Sequence, residues 1–279
     1  MKAPLPPLLV AIALIVIALG TSQPLIVGAA FVGALLLHHA APPPHRLMLR
    51  VALISGLFIF LLNPFVAVEG DHVLLSGPHF LLFDFEITSE ELLYGLVAGL
   101  RLATAILATA AFLRLADPDR TQALASRIVP RSALTVALSA RLAPTLRRDA
   151  TGLHESLRLR GAGPRHGRRA AIRQGAVLIE PLVASSLERG VDISEAMVAR
   201  GYGAGTMTRL PEPAYTGGER LGLAVGSVGC VVGLALIAGL VPYAIYPLAD
   251  PLLSTTGLVV AGGVLLLSLV GAGALRTRA

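Results

Sequence analysis

The stretch LLYGLVAGLRLATAILATAAFLRL, Leu92 to Leu115, contains only two charged residues, Arg101 and Arg114. A helix needs about 20 mainly apolar residues to cross the roughly 30 Å hydrocarbon core of a bilayer, so this segment predicts a transmembrane helix. The whole chain has a similar bias, with 54% hydrophobic residues, 14% charged residues and a mean hydropathy of +0.74. These values are far from those of an average soluble domain. The sequence therefore predicts an integral membrane protein.

Five further apolar runs are candidates for membrane spans, and the first two of them are short. They are Leu5–Leu19, Pro24–Leu37, Val51–Val68, Leu221–Leu248 and Leu252–Leu275. The opening run follows Lys2, but no convincing small-residue cleavage site follows it, so we interpret it as a retained helix and not as a signal peptide. The expected fold is all-α, a polytopic membrane protein with about six transmembrane helices.

The distribution of charge predicts the orientation of these spans. The segment Glu69–Glu91 carries six acidic residues and no lysine or arginine, whereas the segment from Ala116 to Arg220 carries sixteen arginines against ten acidic residues. The other basic residues outside the spans are Lys2, Arg46, Arg50, Arg276 and Arg278. Because basic residues concentrate on the cytoplasmic side, we expect a multi-pass plasma-membrane protein with both termini in the cytoplasm and the acidic loop outside.

The hydrophilic block between the fourth and fifth spans divides the chain into three regions. We expect an N-terminal transmembrane region at 1–115, a cytoplasmic module at 116–220 and a C-terminal transmembrane hairpin at 221–279. Leucines at helical spacing predict a long amphipathic helix that starts near Pro130 and ends at Gly161. They are Leu134, Leu138, Leu142, Leu146, Leu153 and Leu157. A second long helix is predicted from about Ala170 to Arg200.

Prolines are expected to interrupt both of these helices, because proline cannot donate the helical hydrogen bond. Pro144 should kink or divide the first helix, and Pro181 together with the region around Gly190 should break the second. Each helix is followed by an arginine and a glycine, at Arg160-Gly161 and Arg200-Gly201. Glycine after a helix end adopts the left-handed conformation that stops the helix, and a terminal arginine is a rigidly aimed guanidinium that can grip a carboxylate.

Several functions are disfavoured by what the sequence contains. Lys2 is the only lysine, so the chain has no phosphate-binding P-loop of the GxxxxGK[ST] type and we do not expect an enzyme that hydrolyses ATP. The single Cys230 excludes a disulfide within the chain and a metal site built from cysteines. The basic residues lack interleaved aromatics, which argues against nucleic acid as a partner. No cofactor is implied.

Several other polar residues have more than one possible interpretation. Arg101 either snorkels towards Glu90, Glu91 or water, which we favour, or makes a polar contact that shapes the subunit packing. Ser89 is a plausible N-cap for the fourth span, whose preceding acidic residues form either a solvated face or a helix N-terminus. His38, His39 and His45 form either a metal site or, as we favour, a solvated cytoplasmic turn. The stretch RHGRR, 165–169, is a candidate contact with anionic lipid.

The order of these features resembles a known family of transport proteins. The stretches LLNPFVAVEG, EITSEELLYGLVAGLRLA, LADPDRTQALASRIVPRS, PRSALTVALSARLAPTLRRDATGLHESLRLRG and MVARGYG run in order from about Asn63 to Gly203. They resemble the transmembrane T component of energy-coupling factor transporters, the family that includes the cobalt-transport Q protein. That resemblance covers roughly half of the chain.

The resemblance implies a scaffold subunit of an importer for a vitamin or a transition-metal ion. Two cytoplasmic ABC ATPases would bind it, and a separate membrane protein, the S component, would capture the substrate. Family members carry an Ala-Arg-Gly motif at the end of each of two crossed coupling helices, and its arginine enters an acidic groove of one ATPase. The second motif matches at Ala199, Arg200 and Gly201, whereas the first has Leu159 in place of alanine before Arg160 and Gly161.

Two other functions remain open from the residues alone. One is a membrane-embedded enzyme that uses acid or histidine groups, with His154 and Glu155, or Asp84 and Glu86, as first suspects. The other is the substrate-capturing subunit itself, although a small capture protein does not need the long hydrophilic block. Co-purification with ATPase chains distinguishes these functions from that of a T component.

Overall fold

The computed structural model of the chain describes residues 3–41, 46–63, 73–76, 86–161, 168–205, 214–244, 251 and 254–276. This part of the chain is predominantly α-helical, as the apolar runs predict, and it also contains two short strands, which they do not predict. The elements are α1 (Leu5–Gly20), α2 (Pro24–Ala40), α3 (Arg46–Leu62), β1 (Val73–Ser76), β2 (Glu86–Thr88), α4 (Ser89–Leu115), α5 (Pro118–Ile128), α6 (Pro130–Leu159), α7 (Arg168–Ala199), α8 (Gly217–Ile237) and α9 (Thr255–Leu275).

The second strand leads directly into α4. They pair antiparallel, with Val73 opposite Thr88. Thr88 is also the N-cap of α4: its hydroxyl accepts a hydrogen bond from the Glu91 backbone N–H, and the Glu91 carboxylate accepts one from the Thr88 N–H at 3.1 Å. This reciprocal pair is a capping box. The prediction of Ser89 as the cap is wrong, and Glu90 and Glu91 are buried at a helix N-terminus, not on a solvated face.

Three helices in the described residues, α4, α8 and α9, have the length and apolar composition needed to cross a membrane, while α1 and α2 are apolar but shorter. The helix α8 ends earlier than the predicted span at 221–248. Gly239 has a φ of +89°, and its N–H donates to the Leu236 carbonyl oxygen at 3.0 Å. A left-handed glycine bonded in this way stops the helix.

The helices α1 to α4, α8 and α9 belong to one compact unit, residues 1–121 and 214–279. In this unit α1 packs against α8, α2 against α4 and α9, and α3 against α4. Glycines allow the closest approaches: a Cβ added to Gly99 of α4 would lie 2.5 Å from the Gly56 carbonyl oxygen of α3. Small residues of this kind let backbones come together in membrane helix pairs.

The two arginines of α4 hold the C-terminal ends of α1 and α2. Arg101 donates from Nε to the Ala18 carbonyl oxygen at 3.0 Å and from Nη2 to the Thr21 carbonyl oxygen at 2.7 Å. Arg114 donates to the Ala41 carbonyl oxygen at the end of α2. A cation is favourable beside the negative end of a helix dipole. The favoured reading of Arg101, snorkelling towards Glu90, Glu91 or water, is therefore wrong, because its guanidinium caps α1.

The second compact unit, residues 122–213, contains α6 and α7. Both are single continuous helices, with Pro144 inside α6 and Pro181 inside α7. The prediction that α7 breaks at Pro181 or Gly190 is wrong. Each proline removes one backbone donor, at a cost of about 3 kcal/mol, yet both helices continue through it.

Candidate functional site

The candidate site consists of the two helix tips that carry the Arg-Gly pairs, both in the second compact unit. The first tip is the end of α6. Arg160 is its C-cap, and its N–H donates to the Ser156 carbonyl oxygen at 3.1 Å. Gly161 follows with a φ of +83°, and its N–H donates to the Arg158 carbonyl oxygen at 3.1 Å. Leu159 is 89% exposed beside them. The helix therefore ends where the sequence pattern predicts.

The second tip, at the end of α7, is built in the same way. Gly201 has a φ of +80° and donates to the Val198 carbonyl oxygen at 2.9 Å. The N–H of Tyr202 donates to the Met197 carbonyl oxygen, also at 2.9 Å. These two bonds form a Schellman motif, which satisfies carbonyls that a helix end leaves open. Ala199 and Arg200 are exposed immediately before the turn.

The end of α8 shows which part of the Arg-Gly pair stops a helix. Gly239 adopts the same left-handed conformation with the same bonding pattern, but the residue before it is Ala238. The glycine alone is therefore sufficient for the stop. The arginines at the corresponding positions, Arg160 and Arg200, are additional to it and have to be explained separately.

Both tip arginines are exposed. In the described part of the chain, neither guanidinium has a hydrogen bond or an ion pair. A guanidinium offers five donors in a planar fork that matches a carboxylate with two parallel hydrogen bonds. Each tip therefore presents an available carboxylate-binding group at the end of a long helix.

The helices α6 and α7 pack against each other and are joined by an ion pair. Arg189 Nη2 lies 3.0 Å from Asp149 Oδ2, and about a third of each side chain is exposed. Half-buried apolar residues include Leu134, Leu138, Leu142, Leu146, Leu153 and Leu157 on α6, and Leu178, Leu182, Ile193 and Met197 on α7. The leucine stripe predicted for α6 therefore falls on its half-buried side.

A second apolar stripe on α7 is exposed. It consists of Val183, Leu187, Val191 and Val198, which are between 49% and 71% exposed. At 100° per residue these positions fall within about 80° of the helix circumference, away from the side that carries Leu182 and Ile193. A row of exposed apolar side chains on one helix face marks an interaction surface.

The comparison with protein families identifies the chain. A family model described as CbiQ, cobalt transport protein, matches residues 5–210. The chain belongs to the CbiQ family. The resemblance found in the sequence is confirmed, and the chain is a membrane component of a transport system. A search of curated proteins found no match.

The match to the CbiQ model includes α1 to α7 and both Arg-Gly tips, while α8 and α9 lie beyond it. The ion pair between Asp149 and Arg189 also lies within the match and was not predicted. A signal for it exists in the sequence, because both charged residues fall on the apolar stripe of their helix.

The other sequence candidates of this CbiQ-family chain do not form a site. His38 is buried at the end of α2, not in a solvated turn, and the His39 ring nitrogen Nδ1 lies 2.8 Å from the Leu35 carbonyl oxygen. His45 and Asp84 lie outside the described residues. The same holds for the side chains of Glu86 and of the stretch 165–169. Among the described residues, no group of three potential ligands could hold a metal ion. His154 and Glu155 are exposed neighbours on α6.

Proposed function

We propose that this chain is the T component of an energy-coupling factor importer, the subunit that couples two cytoplasmic ABC ATPases to a substrate-binding membrane protein. One observation carries the proposal. Each of two long, packed helices ends in an exposed arginine that the helix stop itself does not require, and that has no partner in the described residues. A T component has such tips to dock its ATPases.

The proposed orientation follows the charge map. Six spans with both termini in the cytoplasm put the module at 116–220, with its excess of arginine, on the side where ATP is available. The regions at 1–115 and 221–279 are then the parts in the plasma membrane. Lys2 is the only lysine, so the chain has no P-loop. A chain without a P-loop must obtain ATP-driven motion from partner subunits, which supports the proposed coupling role.

In the proposed mechanism, α6 and α7 transmit motion from the ATPases to the substrate-binding subunit. Closing of the ATPase dimer on ATP moves the acidic grooves that hold Arg160 and Arg200, and the helices carry that motion towards the substrate-binding subunit. The exposed stripe on α7, which includes Leu187 and Val191, supplies the apolar surface against which that subunit packs. The cargo is a vitamin or a transition-metal ion, and the description of the matching family model names cobalt.

Charge reversal at the tips tests the proposal. The chain is co-expressed with the ABC ATPase genes of its source organism, and ATPase co-purification and substrate uptake are measured for Arg160→Glu, Arg200→Glu and the double variant. We expect each reversal to weaken capture and the double variant to abolish both capture and uptake, because a carboxylate at the tip repels an acidic groove.

Arg148→Glu is the matched control, because Arg148 is also an exposed arginine on α6 but lies away from the tip. It should insert into the membrane, capture ATPases and support uptake like the parent protein. Uptake and ATPase capture by the double tip variant at the parent level would contradict the proposal.

A further inference from the structure

The ion pair between α6 and α7 is shielded at its centre. Arg189 Nη2 and Asp149 Oδ2 are 3.0 Å apart. Both Asp149 Oδ2 and Arg189 Nη1 are inaccessible to solvent, although part of each side chain is exposed, and neither atom makes a hydrogen bond within the described residues. The contact between the two side chains is therefore an attraction of opposite charges without a well-aligned hydrogen bond. Water and salt screen such a contact less than they screen an ion pair on an open surface. The pair is therefore suited to hold two helices at one point.

The position of the pair relative to the tips is the same on both helices. Asp149 lies eleven residues before Arg160, and Arg189 lies eleven residues before Arg200. At a rise of 1.5 Å per residue, each helix extends about 16 Å from the ion pair to its arginine. A change of 10° in the angle between the helices then displaces a tip by roughly 3 Å over an arm of this length. This displacement is comparable to the length of the hydrogen bonds a docking guanidinium must make.

We infer that Asp149 and Arg189 are positioning residues that pin the crossing of α6 and α7 and thereby set the spacing between Arg160 and Arg200. The inference rests on the proposed function only in assigning a purpose to that spacing. The pin itself is a property of this chain, because both partners and both tips lie in one compact unit. Neither residue contacts an ATPase in this account.

The spacing is measured directly by electron paramagnetic resonance between two spin labels, without any ATPase present. The labels are placed at Glu155→Cys and Glu195→Cys, exposed positions five residues before each arginine, in a Cys230→Ala background. We expect Asp149→Ala and Arg189→Ala to shift or broaden the distance distribution by several ångströms. The exchanged pair, Asp149→Arg with Arg189→Asp, should restore the parent distribution.

Two neighbouring variants are matched controls. Arg148→Ala and Glu188→Ala each remove an adjacent exposed charge, and they should leave the distance distribution unchanged. Helix content, followed by circular dichroism, should be the same in all variants. A parent-like distance distribution in both Asp149→Ala and Arg189→Ala would contradict the inference that this ion pair fixes the helix crossing. A distribution for the exchanged pair that is as broad as those of the single variants would contradict it too.

Failure of the pin and failure of the proposed function give different results. The distances between the labels can respond as expected while charge reversal at Arg160 and Arg200 leaves ATPase capture intact. In that case the positioning role of the ion pair is supported and the docking role of the arginines is contradicted. Conversely, the tips can capture ATPases while the distances do not respond to Asp149→Ala and Arg189→Ala. In that case the docking role of the arginines is supported and the positioning role of the ion pair is contradicted.

Discussion

Replacing Gly201 by alanine separates the helix stop from its use in docking. Gly201 has a φ of +80°, and a Cβ placed there meets no described atom within 4 Å. The penalty is therefore conformational and not steric, about 1–2 kcal/mol for an L-residue in the left-handed region. If docking requires the left-handed turn at Gly201, the population of tips with this turn falls about 5–30-fold relative to tips in other conformations. ATPase affinity should fall by up to the same factor.

Gly239→Ala is the matched control for this substitution. Gly239 ends α8 with a φ of +89°, the same backbone bonding and the same open space around its Cβ, but without an arginine before it. Both variants should lose similar stability in thermal unfolding of the detergent-solubilised protein. Only Gly201→Ala should weaken binding of purified ATPase, measured as a Kd by microscale thermophoresis.

Either of two results would refute this reasoning. Binding by Gly201→Ala at the parent Kd would show that the aimed turn is not needed for docking. An equal loss of binding in Gly239→Ala would show that general destabilisation is responsible.

Four further substitutions test other parts of the account. Arg101→Met removes three hydrogen bonds at the end of α1 and should lower stability by about 2 kcal/mol, seen as a lower Tm; an unchanged Tm argues against the cap. Gly99→Ala should destabilise by about 1–3 kcal/mol through its clash with the α3 backbone, whereas Gly190→Ala has open space and should stabilise by about 0.5–1 kcal/mol; equal Tm values would contradict both. Leu159→Ala should change stability by less than about 0.5 kcal/mol because the side chain is exposed, and should strengthen ATPase capture by making the first tip match the second; weaker capture would count against that match.

The features that could be predicted from sequence are those with a local cause. The ends of α6 and α7 follow from a glycine that adopts a left-handed turn, and the structure places both turns as expected. The N-cap of α4 could also have been predicted correctly: Thr88 has Glu91 three residues later, as a capping box requires, whereas Ser89 has Leu92.

The features that the sequence did not predict depend on distant partners. Arg101 finds its acceptors at the end of α1 and just after it, about eighty residues earlier in the chain, so its own neighbours give no sign of them. Asp149 and Arg189 are forty residues apart and become a pair only when α6 packs on α7. Pro181 lies inside a continuous α7, so its local tendency to break a helix does not by itself decide where the helix ends.

The stoichiometry of the purified complex tests the central claim most directly. Native mass spectrometry of the chain co-expressed with its ATPases should show one copy with two ATPase chains, because each of Arg160 and Arg200 docks one. Arg200→Glu should reduce the mass by one ATPase chain, and the double reversal with Arg160→Glu should leave none. Two ATPase chains retained by the double variant, or none bound by the parent protein, would contradict the account.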